Sequence, residues 1–333
     1  MRMRYWLALS LLASACTVDA PNTSATVQAG MNMQGMNMQG MNMQGMNMQG
    51  MNMQGFRLDS VTLAGSSLSN VRVERGEVVA ERGAVTLRGA SLVGAHFQAQ
   101  VRNLEADPPV AALVAFRITA IAPESSSYDP TRTGSTYLYT LEQLVDGSSW
   151  QPACPIDQDG RRVAIPLAAT FDERGDRIAS TTMFTFGCTT GVIAKCYRWG
   201  YRPWVTGYGD LSDLHWTCTR LARADYCGNG VSHTRDGTWI NVWDSLPAPG
   251  PIQRHGLLAP VGMLFEAGWN TGGAVCLSHE RWLLGDGLEI AAMCPDRLVP
   301  PGLGETVCDT VGEVLGFDPN AKLFDEAYLN LGL

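Results

Sequence analysis

Eight cysteines lie between Cys154 and Cys308, and a ninth, Cys16, stands alone near the N-terminus. An even set of thiols in an exported chain becomes a covalent frame that any fold must accommodate. The set is Cys154, Cys188, Cys196, Cys218, Cys227, Cys276, Cys294 and Cys308. Up to four disulfides fit it, and spacing alone selects no pairing. Zinc is disfavoured, because Cys188 and Cys196, or Cys218 and Cys227, stand too far apart for a knuckle with two to four intervening residues.

Export is written at the start of the chain. Arg2 and Arg4 precede an apolar stretch from Tyr5 to Leu12, followed by Ala13-Ser14-Ala15-Cys16. That stretch is far short of the roughly 20 residues a membrane-crossing helix needs, so it reads as a signal peptide. Ala13 and Ala15 suit an ordinary signal peptidase. A Cys directly after the small-residue triplet also resembles a bacterial lipobox, with Cys16 as the acylated residue. Removing Cys16 leaves the even set, which favours lipidation and attachment to the membrane through the lipid alone. The net charge of -8 excludes nucleic acid as the expected partner, since phosphate binding needs a basic footprint.

Residues 31–55 repeat Met-Asn-Met-Gln-Gly without error. A period of five resembles the pentapeptide repeats, which wind into a square coil around a central apolar residue. Counting on by fives places centres at Leu58, Leu63, Leu68, Val73 and Val78, and after one slip at Leu87, Leu92 and Phe97. Two other readings stand beside the coil. Ten thioethers form a soft strip suited to Cu(I), and a stretch poor in charge and rich in Asn, Gln and Gly serves as a flexible spacer.

Past Phe97 the texture turns to strands: Val110 to Ala122, Thr136 to Leu144, Arg162 to Thr170 and Thr181 to Phe186, with turns at Asp159-Gly160 and Arg174-Gly175. Asp210 or Ser212 is placed to cap a helix from about Leu214 to Ala224. Asp236-Gly237 reads as a hairpin between Val231 to Thr234 and Trp239 to Val242. The chain is therefore expected to be α+β, mainly β: a short pentapeptide-like repeat segment, then an antiparallel sheet packed with a disulfide-rich α+β region. The expected boundaries are 1–15 signal peptide, 16–30 linker, 31–98 repeat segment and 99–333 folded domain. Within that domain 99–187 is the β part, 188–310 the Cys- and Trp-rich part and 311–333 a C-terminal tail.

Ala224-Asp225-Tyr226-Cys227, followed by Gly228-Asn229-Gly230 and Ser232-His233-Thr234, resembles the signature of the ADYC domain, a family of exported bacterial proteins named for that tetrapeptide. Phe186-Gly187-Cys188, Ala194-Lys195-Cys196, Gly200-Tyr201-Arg202-Pro203-Trp204 and Gly273-Ala274-Val275-Cys276 are similar to further segments of it. The resemblance implies a fold and an exported location, over roughly residues 98–333, and brings no activity with it.

Two kinds of site are expected. If the domain is an enzyme, His233 is the best-placed general base, with Asp225, Asp236 or Asp244 as its acid partner in a hydrolase. No nucleophile elbow, zinc helix or phosphate loop accompanies them, and no cofactor or metal is expected in the domain. If the domain is a binding or scaffolding module, Trp204, Trp239 and Trp243 are candidate ligand contacts for an unknown protein or glycan, because aromatic faces stack on sugars and side chains. Binding or scaffolding in the cell envelope, with the repeat as spacer, is the principal expectation, and a Met-rich copper-binding envelope protein is a further alternative.

Overall fold

A computed structural model describes residues 56–329 apart from 104–109, 126–130, 132–135, 173, 181–182, 235–237, 256–261, 283–289, 291 and 298–307. The signal peptide, Cys16, the linker, the five perfect repeats and Asp236 lie outside the described residues. The protein is mainly β, with antiparallel sheets joined to a smaller helical part, as expected from the strand runs.

The N-terminal half is built of β1 (Phe56–Leu63), β2 (Ser66–Ser67), β3 (Ser69–Glu74), β4 (Glu77–Arg82), β5 (Val85–Arg88), β6 (His96–Asn103), β7 (Val110–Pro123), β8 (Tyr137–Val145), β9 (Ser149–Pro152), β10 (Ala164–Leu167), β11 (Ala169–Phe171), β12 (Arg177–Ala179) and β13 (Met183–Cys188). The main sheet runs β10-β13-β1-β6-β7-β8-β9, and a bridge from Ala164 to Tyr139 pairs β10 with β8. That bridge closes six strands into a ring. Phe97, Phe116, Tyr139 and Phe186 meet in the core it shares with the β3-β4-β5 sheet, where the Phe97 and Phe116 rings stack with centroids 4.7 Å apart. The phenol of Tyr139 accepts the Val78 backbone N–H at 2.8 Å, tying that small sheet to the ring.

Residues 56–98 therefore depart from the expected coil. They form hairpins, with Val73 opposite Val78 and Glu74 opposite Glu77 around an Arg75-Gly76 turn of positive φ. The boundary expected at 98/99 falls inside β6, and β1 pairs with β6 along most of its length and with β13 at Phe56 and Arg57. This stretch is part of the folded core.

The C-terminal half holds α1 (Val192–Arg198), α2 (Ser212–Arg223), β14 (Ile240–Asp244), β15 (Leu264–Asn270), β16 (Gly273–Leu277), α3 (Val311–Phe317) and β17 (Leu323–Ala327). The sheet order is β14-β17-β15-β16. Residues expected as a tail thus supply a helix and a central strand. Helix α2 is amphipathic: Leu214, Cys218, Leu221 and Ala222 recur at helical spacing and join Ala267, Trp269 and Leu323 in a core on one face of the sheet. On the other face Val314 of α3 packs with Trp243, Phe324, Cys276 and Cys308.

Two local expectations are revised. The N-cap of α2 is Leu211, which makes no side-chain cap, while Asp210 accepts the Ser212 N–H at 2.9 Å. Residues 231–234 are not a strand, and β14 pairs with β17 instead of forming a hairpin with them. The buried apolar run Ile240–Val242–Trp243 finds more area to cover in the four-stranded sheet than a local hairpin offers.

All eight downstream cysteines pair: Cys154–Cys188, Cys196–Cys218, Cys227–Cys294 and Cys276–Cys308. The first closes the barrel half, the second ties α1 to α2, and the fourth holds the chain before α3 to β16. Four disulfides mark a chain that matures in an oxidising, non-cytoplasmic compartment. Among the described residues no helix is long and apolar enough to cross a membrane.

Candidate functional site

The Ala224-Asp225-Tyr226-Cys227 tetrapeptide takes up structural contacts at every position. Ala224 ends α2 in the left-handed region at φ 51°, and its N–H returns to the Arg220 and Leu221 carbonyls. The Asp225 carboxylate accepts Arg220 Nη1 at 2.5 Å, the Gly230 N–H at 3.0 Å and the Asn229 N–H at 3.1 Å, and so clamps its own turn. Gly228 in that turn lies against the Gly272 carbonyl, where a Cβ has no room. Cys227 is held by Cys294.

Tyr226 leads into a fully buried polar cluster. Its phenol donates to Glu266 Oε1 at 2.9 Å and accepts the Arg281 N–H at 3.1 Å. The Arg281 guanidinium reaches Glu266 and Asp325, each at 2.8 Å, and also the Leu221 carbonyl at the end of α2. Asp325 accepts Trp269 Nε1–H at 2.7 Å. Burial, then the neighbouring Glu266 charge, raises the Asp325 carboxyl well above its usual range. Burial alone would lower the Arg281 pKa, but the Glu266 and Asp325 carboxylates outweigh it and raise it. Every charge in the cluster is answered inside it, so it holds the fold and offers a ligand nothing.

Among the described residues, the candidate acids Asp225 and Asp244 are each held by other groups of the fold, and Asp236 lies outside the described residues. His233 is buried, with its backbone N–H on the Arg223 carbonyl and its ring 5.6 Å from that of Tyr226. Asp225 is committed to Arg220 and its turn. Asp244, at the end of β14, accepts the Tyr201 hydroxyl and the backbone N–H groups of Leu246, Ile252 and Gln253. Burial raises its carboxyl. Among the described residues no group of three His, Cys, Asp or Glu side chains is placed to hold a metal.

The three candidate tryptophans separate in space. Trp243 is buried against Phe324, Phe265 and His255. Trp239 is 38 % exposed at the edge of β14. Trp204 lines a cleft of about 250 Å³ where the two halves of the molecule meet. The β3–β4 turn contributes Val73, Arg75 and Gly76. The β10–β11 junction adds Leu167 and Ala168, β12 adds Arg177, and the approach to α2 adds Pro203, Asp210 and Ser212. Gly76 is required there because a Cβ would overlap the Trp204 indole. Tyr197 meets that indole edge-on with centroids 5.0 Å apart.

Arg177 sets this cleft apart electrostatically. Arg198 is paired with Glu124, Arg220 with Asp225 and Asp176, and Arg281 with Glu266 and Asp325, whereas Arg202 donates to Thr136 and Thr131. Arg177 has no carboxylate within ion-pair distance among the described residues, and its buried Nε has no hydrogen-bond partner there. Its charge reaches the buried Tyr197 and His215, and burial, with Arg177 as a lesser contributor, pushes the His215 imidazole down to about 3. Sequence reasoning singled out Trp204 but passed over Arg177 and Arg75. The one available signal was the Glu74-Arg75-Gly76-Glu77 turn, which the five-residue count concealed.

No curated protein and no solved structure matches the chain. The sequence model of the ADYC domain matches residues 89–283, a span that holds the tetrapeptide turn, Arg177 and Trp204 together. With more than half its length so matched, the chain belongs to the ADYC domain family.

Proposed function

We propose that the protein is a cell-envelope lipoprotein, anchored through acylated Cys16, whose disulfide-framed domain binds a ligand in the Trp204 cleft. Residues 31–55 serve as the spacer that lifts the domain from the membrane. The observation that carries the binding reading is the cleft itself: an aromatic face, two arginines and a carboxylate converge where the β half meets the helical half. Clefts with a mainly apolar wall and a few directed polar groups are where small ligands dock. Among the described residues, Asp225 and Asp244, the candidate acid partners for hydrolysis, both serve as acceptors within the fold.

The test is binding of solubilised envelope saccharides to the oxidised, full-length secreted chain, followed by nuclear magnetic resonance of the tryptophan indole N–H signals. Trp204 is expected to shift, and Trp204→Phe is expected to weaken binding with the fold retained. Binding that survives Trp204→Phe but is lost in Trp239→Ala would move the site to β14. A wild-type chain that takes up no envelope fraction at all would sink the binding reading.

A further inference from the structure

The ligand class follows from the charges around the cleft. Arg177 stands on β12 opposite Phe171 and lines the cleft, with no carboxylate within ion-pair distance among the described residues. Arg198, Arg220 and Arg281, by contrast, each sit on carboxylates of the protein itself. A planar guanidinium without such a partner presents, at its Nη end, a pair of N–H groups whose natural complement is the planar oxygen pair of a carboxylate. Arg75, exposed on the facing turn, adds a second positive charge at the rim.

Two further features narrow the choice. Asp210 lines the same cleft, and among the described residues its carboxylate is engaged at Oδ1 alone, by the Ser212 N–H. A fixed negative charge opposes a dianionic phosphate more than a monoanion, and its free oxygen accepts hydroxyl donors. Trp204 supplies an aromatic wall, and a volume of about 250 Å³ suits one ring rather than a chain of them.

Resting on the reading of the Trp204 cleft as a binding site, we propose that it takes a single sugar-sized ring bearing one carboxylate, as in the uronic acids. Arg177 receives the carboxylate, Asp210 accepts ring hydroxyls, and Trp204 covers the C–H face.

Isothermal titration calorimetry on the oxidised full-length chain tests this with galacturonic and glucuronic acid, galactose and glucose, and galactose 6-phosphate. At least one uronic acid is expected to bind about tenfold or more tighter than its neutral sugar, the difference shrinking at high salt. Arg177→Gln is expected to bring that acid down to the affinity of the neutral sugar while leaving the neutral sugar unchanged. Arg75→Gln, at an exposed position, is expected to cause a smaller loss, and thermal unfolding of both variants checks that they fold. Equal binding of acid and neutral sugar, or no effect of Arg177→Gln in a folded variant, overturns the carboxylate assignment while sugar binding lost in Trp204→Phe keeps the cleft as the site. Tighter binding of galactose 6-phosphate than of either uronic acid overturns it in favour of a phosphate. Absence of millimolar binding by every probe overturns the sugar-ring proposal, and the envelope-saccharide experiment then decides separately whether the cleft binds anything.

Discussion

Tyr226 joins two roles in one hydroxyl, donating to Glu266 and accepting from the Arg281 backbone. Removing it in Tyr226→Phe leaves a buried carboxylate and a buried N–H short of a partner, which costs about 1–3 kcal/mol. Urea denaturation is expected to show that loss without any change in disulfide content. Arg281→Met is expected to cost more, about 3–5 kcal/mol, because two buried carboxyls lose the guanidinium they share. The same cluster sets a pH dependence. Asp325 holds its proton more tightly in the folded chain than in the unfolded one, so its contribution is complete below the unfolded value of 3.8 and is lost as pH rises through the higher folded value. Asp325→Asn is therefore expected to have a flatter stability profile than wild type between acid and neutral pH, measured as the urea midpoint at several pH values. The tetrapeptide could be picked out in the sequence, and so could Cys227 as a bridged residue. Glu266, Arg281 and Asp325 could not, because nothing local in Phe-Glu-Ala, Glu-Arg-Trp or Phe-Asp-Glu announces that they meet at Tyr226.

Among the elements, the hairpins of residues 56–98 explain why a five-residue beat looked like a coil. Across a two-residue turn the residues flanking the closing pair are five apart in sequence, as Val73 and Val78 are, and they face each other in the ladder. The count found the right apolar residues: Leu58, Leu63, Leu68, Val73, Val78, Leu87, Leu92 and Phe97 all lie in or against the barrel core. What it missed was chain reversal, which Ala64-Gly65, Arg75-Gly76 and Gly83-Ala84 impose. Strands β7 and β8 and helix α2 came out within a residue or two of expectation, because each carries a full run of its own periodicity. The β14–β17 pairing joins segments some eighty residues apart and has no local signature. In the same sheet Gly268 is the point where α3 touches β15, and an added Cβ would overlap Val314. Gly268→Ala is expected to destabilise the chain by about 1–3 kcal/mol, and Val314→Ala in the same chain to recover part of that loss. Thermal melts of the two single variants and the double variant give the coupling directly.

Across the whole molecule, the covalent frame was legible as an even number and not as a wiring. Non-reducing peptide mapping is expected to return Cys154–Cys188, Cys196–Cys218, Cys227–Cys294 and Cys276–Cys308, and a crossed pair would contradict the fold. Cys16→Ser is expected to release the protein from the membrane fraction, and a variant still retained there would rule out the lipid anchor. The disulfides are also unevenly distributed: none involves a residue before Cys154, although β1 stands inside the ring between β13 and β6. That placement bears on the order of events during export. A chain threaded across a membrane from its N-terminus delivers β1, β6, β7 and β8 first, and these zip together from near neighbours. Phe56 must then wait until Phe184 arrives before the ring can close. Ring closure, a contact between segments remote in sequence, is thus a late step of folding. Until it occurs, the open edges of the nascent sheet leave the chain at its most exposed to aggregation or to capture by a chaperone.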